Sequence, residues 1–446
     1  MKISTKIAAA LLALGLVSQA GADPVVYLTG STAFRSTVFA ALENNNGTNT
    51  GGVFDSGTVS FATFGNATAS SGSYMVFHGN INGSPVYIDC AWSGSEAGIA
   101  SACNTSLNNV DRNGNTIALA GSPETWINVS NVTLVAASSG GNVVSTNPTT
   151  ASGEFESSSH QADLTQADTS QAISWTPYVA GSQTALQDFG VEGIVTFTLS
   201  RNVQPNPSNE WVHCSNITLP QLNTLLAGGV VPAGFLSGNT NDNDFTVYLV
   251  GRNLGSGTRM NILGGSTFGA HNAIQQYSIG YGVEEMPHQA LLVLTNEGNN
   301  GYESGGDVAK ALAITNSATA GSCQQPDPFN GGLGWFALGY VAPSDALSTG
   351  NFGGEATNNW VTLDGVLSNN NNIENGTWWL WGHEHLYGKY QISGTQATVG
   401  TRVFNGVQTT LVTLGYGSAP NGHDPGIPLS LMNATKASDV AFPSFQ

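Results

Sequence analysis

The chain has 446 residues, 40% of them hydrophobic and only 9% charged, with a formal net charge of −18. Eleven Lys and Arg against 29 Asp and Glu exclude a nucleic-acid surface, which needs cations to neutralise phosphates. The length suits two or three folded lobes, and the 56 glycines with abundant Asn, Ser and Thr leave solubility to uncharged polar side chains.

Residues 1–22 carry Lys2 and Lys6, then an apolar run, then small residues ending at Ala20-Gly21-Ala22. This is the pattern of a secretory signal peptide cut after Ala22 or Ala20, and it places the mature chain in the periplasm or beyond. No Cys stands at the cleavage site to take a lipid, and no later segment is apolar for long enough to span a bilayer. An exported chain permits disulfides, and the spacing of Cys90 and Cys103 is that of a local staple. Cys214 and Cys323 complete the set, with three pairings open. None of the four has the CxxC spacing of a zinc or redox site.

After the leader, VVYLTGSTAFRSTVFAAL predicts a strand, a Gly-Ser-Thr turn and a helix whose face is Phe34, Val38, Phe39 and Leu42. Two short strands follow, with a hairpin signal at Asn82-Gly83. A Ser-Gly-Ser turn at Ser93 to Ser95 then opens a helix near Ala97. Residues 105–160 are β-rich, irregular and of low complexity, and read as an insertion. GIVTFTL, from Gly193 to Leu199, is a buried strand. ITLPQLNTLLAGGV predicts a helix begun by Thr218 and Pro220 and stopped by glycines.

FTVYLVGRNLGSGTR, from Phe245 to Arg259, runs a strand into a tight Gly-Ser-Gly-Thr loop that opens a helix. Such a loop aims backbone N–H groups and the positive end of a helix dipole at an anion, and Arg252 supplies a two-pronged cation. Another strand-turn-helix spans Gly305-Gly306, and LGWFALGYVAPSDAL is a further buried strand. Strands alternating with helices predict α/β lobes with mostly parallel sheets, and ligands of such sheets sit at the carboxyl ends of strands.

Taken in order, LTGSTAFRSTVFAAL, AWSGSEAGIA, ADLTQAD, VEGIVTFTLSRNV, ITLPQLNTLLAGG, FTVYLVGRNLGSGTR, LGWFALGYV and NGTWWLWGHEHLYG resemble the phosphate-type substrate-binding proteins of ABC transporters. The resemblance covers most of the mature chain. It implies a type II periplasmic-binding-protein fold: two lobes joined by two crossover strands that close on an oxyanion. Lobe one would be 23–196 plus 378–446, carrying the insertion, and lobe two 197–377. GIVTFTLSRN would be the first crossover and the stretch near TWWLWGHEHLY the return. Carried over by motif, the ligand-binding residues are Ser31, Thr32 and Ala33 in the first turn, and Ser95 (or Ser93) in the second. Asp168 would be an acceptor, and Arg252, Gly255, Ser256, Gly257 and Thr258 the principal loop. Each serine has a plainer role open to it as a helix N-cap. Phosphate-specific members carry Asp two residues after the Arg, where this chain has Leu254, which loosens the expectation of strict phosphate selectivity.

His383, Glu384 and His385 read as structural or cleft-lining rather than metal-binding, and Trp378, Trp379 and Trp381 as core or hinge rather than sugar-stacking. The turn Asn421 to Gly426 reads as polar rather than cation-binding. No nucleophile elbow, P-loop or HExxH is present, so neither enzyme chemistry nor a cofactor is expected. The expected function is capture of phosphate or a similar oxyanion for an ABC permease. The alternative is an exported structural or surface interaction protein that keeps the fold, and a hydrolase ranks third.

Overall fold

The computed structural model describes residues 22–65, 69–105, 108–110, 116–118, 125–137, 144–145, 154–202, 213–281, 292–313, 334–346, 359–418, 424 and 426–445. The expected leader, Cys323, residues 421–423 and much of the 105–160 insertion lie outside the described residues.

The chain opens with β1 (Val25–Gly30) and α1 (Arg35–Glu43), whose apolar face of Val38, Phe39 and Leu42 is buried together with Phe34 just before it. A meander of β2 (Ser60–Phe64), β3 (Tyr74–Ile81) and β4 (Ser84–Ala91) follows. Its last turn, at Asn82-Gly83, has positive φ at both residues (53° and 76°), as a type I′ hairpin requires. Next come α2 (Ser95–Ala102) and β5 (Leu164–Ala167). β6 (Gln187–Thr196) and β7 (Thr198–Arg201) are one strand interrupted at Phe197. α3 (Leu219–Gly228) is delimited as its residues dictate, by a Thr218–Gln221 capping box and a left-handed Gly229.

β8 (Phe245–Val250) is buried along its whole length and feeds α4 (Gly257–Gly265). Then come α5 (Gly305–Ala313), β9 (Gly334–Val341), α6 (Pro343–Ala346), β10 (Trp360–Leu363) and α7 (Asn370–Glu374). β11 (Trp381–Gly388) and the 20-residue α8 (Gly394–Thr413) follow, and Gln276–Tyr281 pairs with Leu292–Gly298 as a separate antiparallel ribbon between α4 and α5.

Among the described residues these strands make two principal sheets. The ten-stranded one runs Gly426–Ile427, β6, β11, β5, β1, β4, β3, β2 and Val135–Ala136, with Val144–Ser145 also on β2. The six-stranded one runs Asn216–Ile217, β10, β7, β9, β8 and Val230–Pro232. The protein is therefore α/β with mixed sheets, in which antiparallel ladders outnumber the parallel ones. β1 pairs in parallel with β4 and β5, and β8 with β9. The meander and the connecting strands β6, β7 and β11 add antiparallel ladders, because a strand that enters by a hairpin or returns from the other sheet runs against its neighbour.

The chain passes between the sheets twice, from β6 to β7 and back between β10 and β11. The fully buried Trp378 ties the two passages together: its indole N–H donates to Phe197 O (3.0 Å) and to Leu380 O (3.1 Å). Trp381 is also buried, so these two rings pack the junction and offer no face to a sugar.

The Cys90–Cys103 staple expected from spacing is not formed; Cys90, Cys103 and Cys214 are buried free thiols. Cys90 packs in the core that includes Leu28 and Met75, whereas Cys103 packs with Ala91, Ile99 and Trp126. Adjacent residues of β4 face opposite sides of the sheet, so the sheet itself stands between the two thiols. Burial pushes the Cys103 thiol up to about 12 and Cys90 well above its ordinary value.

His383 and His385, two apart on β11, share a face and turn toward Asp439 in the C-terminal segment. His383 Nδ1 lies 2.6 Å from Asp439 Oδ1 and His385 Nε2 3.9 Å from Oδ2, while Ser170 N donates to Oδ2 at 2.6 Å. Burial alone would raise the Asp439 carboxyl. The hydrogen bond from His383 and the charges of His385 and His383 outweigh it and hold the group at about 2, below its ordinary 3.8. A depressed carboxyl stabilises the fold at pH above its unfolded value and loses that contribution as pH falls through its folded one. Wild type is therefore expected to lose about 2 kcal/mol more than Asp439→Asn between pH 4 and pH 2, read by urea unfolding across that window. Identical acid profiles would remove Asp439 from the account.

Candidate functional site

The turn after β1, the start of α2, the end of β5 and the loop between β8 and α4 meet where the two sheets face each other. The first three belong to the ten-stranded sheet and its helices, the last to the six-stranded sheet. Asp168, at the end of β5 and 1% exposed, is the common point. Ser95 Oγ, from the first half, donates to Asp168 Oδ1, and Thr258 Oγ1, from the second, donates to Oδ2 at 3.2 Å. Asn261 Nδ2 holds the Asp168 main-chain oxygen at 2.6 Å.

Gly257 is required at this junction. A Cβ there would fall 1.6 Å from Asp168 Oδ1 and 2.8 Å from Ser95 Cβ. Burial pushes the Asp168 carboxyl up to about 6, against the hydrogen bonds from Ser95 and Thr258 and the charge of Arg252. It is therefore mostly ionised at neutral pH and accepts hydrogen bonds there.

Arg252 is 2% exposed, and its guanidinium is fixed on three sides. Nε donates to Tyr302 O (3.3 Å), Nη2 to Glu303 O (2.7 Å) and Nη1 across to Thr32 Oγ1 (3.4 Å). Its main chain is held by the Tyr340 hydroxyl on N and by Arg259 Nη1 on O. Desolvation lowers its proton affinity, and the charges of Asp345 and Asp168 work the other way.

The principal loop also closes directly on α2. Gly255 O accepts from Glu96 N (2.9 Å) and Ala97 N (3.2 Å), so a carbonyl of one half satisfies the helix start of the other. Gly94, at φ 103°, allows this approach, since a Cβ there would stand 2.5 Å from Gly255 O.

The expected residues thus separate into groups. Thr32, Ser95, Asp168, Arg252, Gly255, Gly257 and Thr258 are brought together. Of the two serines in the second turn, Ser95 reaches Asp168, while Ser93 lies 3.1 Å from Thr29 Oγ1. Ser256 is the N-cap of α4, accepting from Arg259 N. Ala33 is buried beside the cleft turn. Ser31 is buried with its hydroxyl beside Glu384.

Sequence reading missed several participants. Arg35, the first residue of α1, is 5% exposed and feels the charges of Asp345 and Arg252. Asp345 in α6 is the carboxylate with the largest pull on Arg252; Leu254, where a carboxylate was sought, is buried as an apolar side chain. Asp345 lies just beyond the carboxyl end of β9, a position that the strand reading of LGWFALGYVAPSDAL could have flagged. Glu96, beside Ser95, accepts from Thr169 Oγ1, Ser174 Oγ and Trp175 N and shapes the loop after Asp168; burial raises it to about 7.

No family model matches this chain, and no curated protein matches it. Solved structures with a similar layout include one from Clostridium perfringens described as a phosphate ABC transporter substrate-binding protein with bound phosphate. It is 14% identical with a TM-score of 0.41, over 91% of this chain and 99% of that one. An ABC-type phosphate transport receptor from Vibrio cholerae is 13% identical with a TM-score of 0.35, over 88% and 98%. A possible phosphate-binding protein from Planctomyces limnophilus is 14% identical with a TM-score of 0.30, over 82% of each chain. At these values the likeness decides nothing about ligand or partner.

Proposed function

We propose that this chain is an exported solute-binding protein that captures phosphate or a closely similar oxyanion between two lobes, 23–196 plus 378–446 and 197–377, for an ABC permease. The observation that carries the reading is the buried Arg252 guanidinium. It stands among donors from both halves, with Asp168 bonded to a hydroxyl from each. An incoming oxyanion would accept from Arg252, Ser95, Thr258 and the N–H groups that open α4, which have no acceptor within their own helix. Asp168 would accept a hydrogen bond from the O–H of a protonated oxyanion, and Asp345 would take the place of the carboxylate absent at Leu254. Binding would favour the closed arrangement, because only there do both lobes reach the anion. Nothing in this scheme breaks a covalent bond.

One observation favours a second reading, an exported interaction protein that keeps the fold. Gly255 O already occupies the N–H groups of α2, and Asp168 the hydroxyls of Ser95 and Thr258.

A thermal-shift and calorimetric screen of the mature chain against phosphate, arsenate, a phosphonate and sulfate separates the two. Phosphate and arsenate are expected to stabilise it by about 2.7 kcal/mol at a concentration of 100 times Kd. Sulfate, which brings no proton for Asp168, is expected to bind more weakly. A flat response to all four anions leaves the second reading standing and removes the first.

A further inference from the structure

Under the turn that follows β1, inside the core of the ten-stranded sheet, four polar side chains meet. Glu192 is 1% exposed, Glu384 0%, Gln166 0% and Ser31 1%. They arrive from β6, β11, β5 and the turn itself. The register places them on neighbouring strands: Gly193 stands opposite Glu384, Leu386 opposite Gln166, and Gly30 opposite Gln166. Glu192 lies in the irregularity of β6 between Val191 and Gly193. A bulge of this kind re-aims a side chain, and bulges concentrate next to functional sites.

Gln166 lies beside Glu192, and Ser31 beside Glu384. Even so, both carboxylate oxygens of each Glu, both amide atoms of Gln166 and the Ser31 hydroxyl lack a hydrogen-bond partner. The charges that act most on Glu384, those of Asp168, Glu192 and Asp439, are all negative. Buried carboxylates without a positive partner are among the costliest arrangements in a protein.

We infer that Glu192, Glu384, Gln166 and Ser31 form a binding site for one hard divalent cation of the calcium type. Two carboxylates balance its charge. Carboxylate, amide and hydroxyl oxygens are the donors such an ion takes, and the set contains no Cys or His that would turn it toward zinc. Among the described residues no group of three or more His, Cys, Asp or Glu side chains could hold a metal. This set has two acids and completes itself with neutral oxygens.

The competing account is that both acids hold protons, which burial favours. A carboxylic acid, however, both donates and accepts, and here it would stand against an amide and a hydroxyl able to answer it. The contacts that Gln166 offers Glu192 and Ser31 offers Glu384 favour the charged forms, and none reaches full hydrogen-bond geometry. Two acids, an amide and a hydroxyl gathered from four segments, with only negative charges acting on Glu384, suit a central cation. The His383-Glu384-His385 run thus divides by strand alternation: the two imidazoles face Asp439, and Glu384 faces the core between them. This cation site does not depend on anion capture in the cleft above it.

The test uses the mature chain stripped with EDTA and dialysed free of chelator, titrated with CaCl2 and separately with MgCl2 while melting temperature and heat are followed. Calcium is expected to raise the melting temperature by several degrees with one ion bound per chain. Glu384→Gln and Glu192→Gln, which keep shape and remove charge, are expected to lose that response. If EDTA and CaCl2 leave wild type unchanged and Glu384→Gln melts at or above wild type, the pair holds protons and the inference is wrong. If the variants do not fold, elemental analysis of wild type purified without chelator decides. About one equivalent of calcium or magnesium supports the site, and its absence together with no heat of calcium binding overturns it.

Discussion

Arg252→Ala is expected to weaken phosphate binding by 100-fold or more, measured by isothermal titration on protein shown to be folded. A hydrogen bond to a charged group contributes about 1.5–3 kcal/mol, and a two-pronged guanidinium makes two, so the loss is about 3–6 kcal/mol. Among the described residues, the two other buried arginines near the site are already engaged. Arg35 already donates to Gly72 O, and Arg259 is spent on Asn299 and on the main chain of residue 252. The variant is also expected to be less stable, because Glu303 O loses the guanidinium donor and Tyr302 O keeps only Asn253 N. Arg252→Lys separates the two effects. It keeps the charge and surrenders the fork, so intermediate affinity is expected from it. Unchanged phosphate affinity in folded Arg252→Ala would place the anion elsewhere or nowhere.

Trp378→Ala is expected to cost about 3–5 kcal/mol of stability, measured by denaturant unfolding, since one of the two tryptophans that pack the junction is lost with its hydrogen bonds. Trp378→Phe retains much of the volume and removes the indole N–H that reaches Phe197 O, so a smaller loss of about 1–3 kcal/mol is expected. Because Phe197 lies where the chain leaves one sheet for the other, the alanine variant is also expected to broaden the transition, with the halves unfolding less cooperatively. A loss below about 1 kcal/mol in Trp378→Ala would show that the junction is held by other contacts.

Much of this architecture was legible in the chain. The strand-turn-helix units at Gly30, Gly94 and Gly255 follow from apolar runs broken by glycine, and α3 from its capping residues. These are local signals, set within a few residues by backbone conformation and by the orphan amides of a helix start. Arg252 was marked by the Gly-rich loop beside it, and Asp168 only by the resemblance that ADLTQAD carries.

The remainder was not local. Whether Cys90 and Cys103 bond depends on which face of a sheet each occupies, and thirteen residues of spacing carry no such information. Arg35 and Asp345 join the site because two halves of the chain come face to face, and neither stands in a motif that marks it.

By itself, then, the amino-acid order determined the alternation of strands and helices, the helix ends and the Gly-rich loop that carries the arginine. Only the tertiary structure decided the antiparallel majority of the ladders, the free thiols and the meeting of Ser95 and Thr258 on Asp168. It also decided the burial of Glu192 and Glu384 against Gln166 and Ser31. The reason is one of range. Capping, turns and periodicity act over the length of a helix turn or a hairpin, whereas burial and charge pairing depend on which distant segments fill the same space.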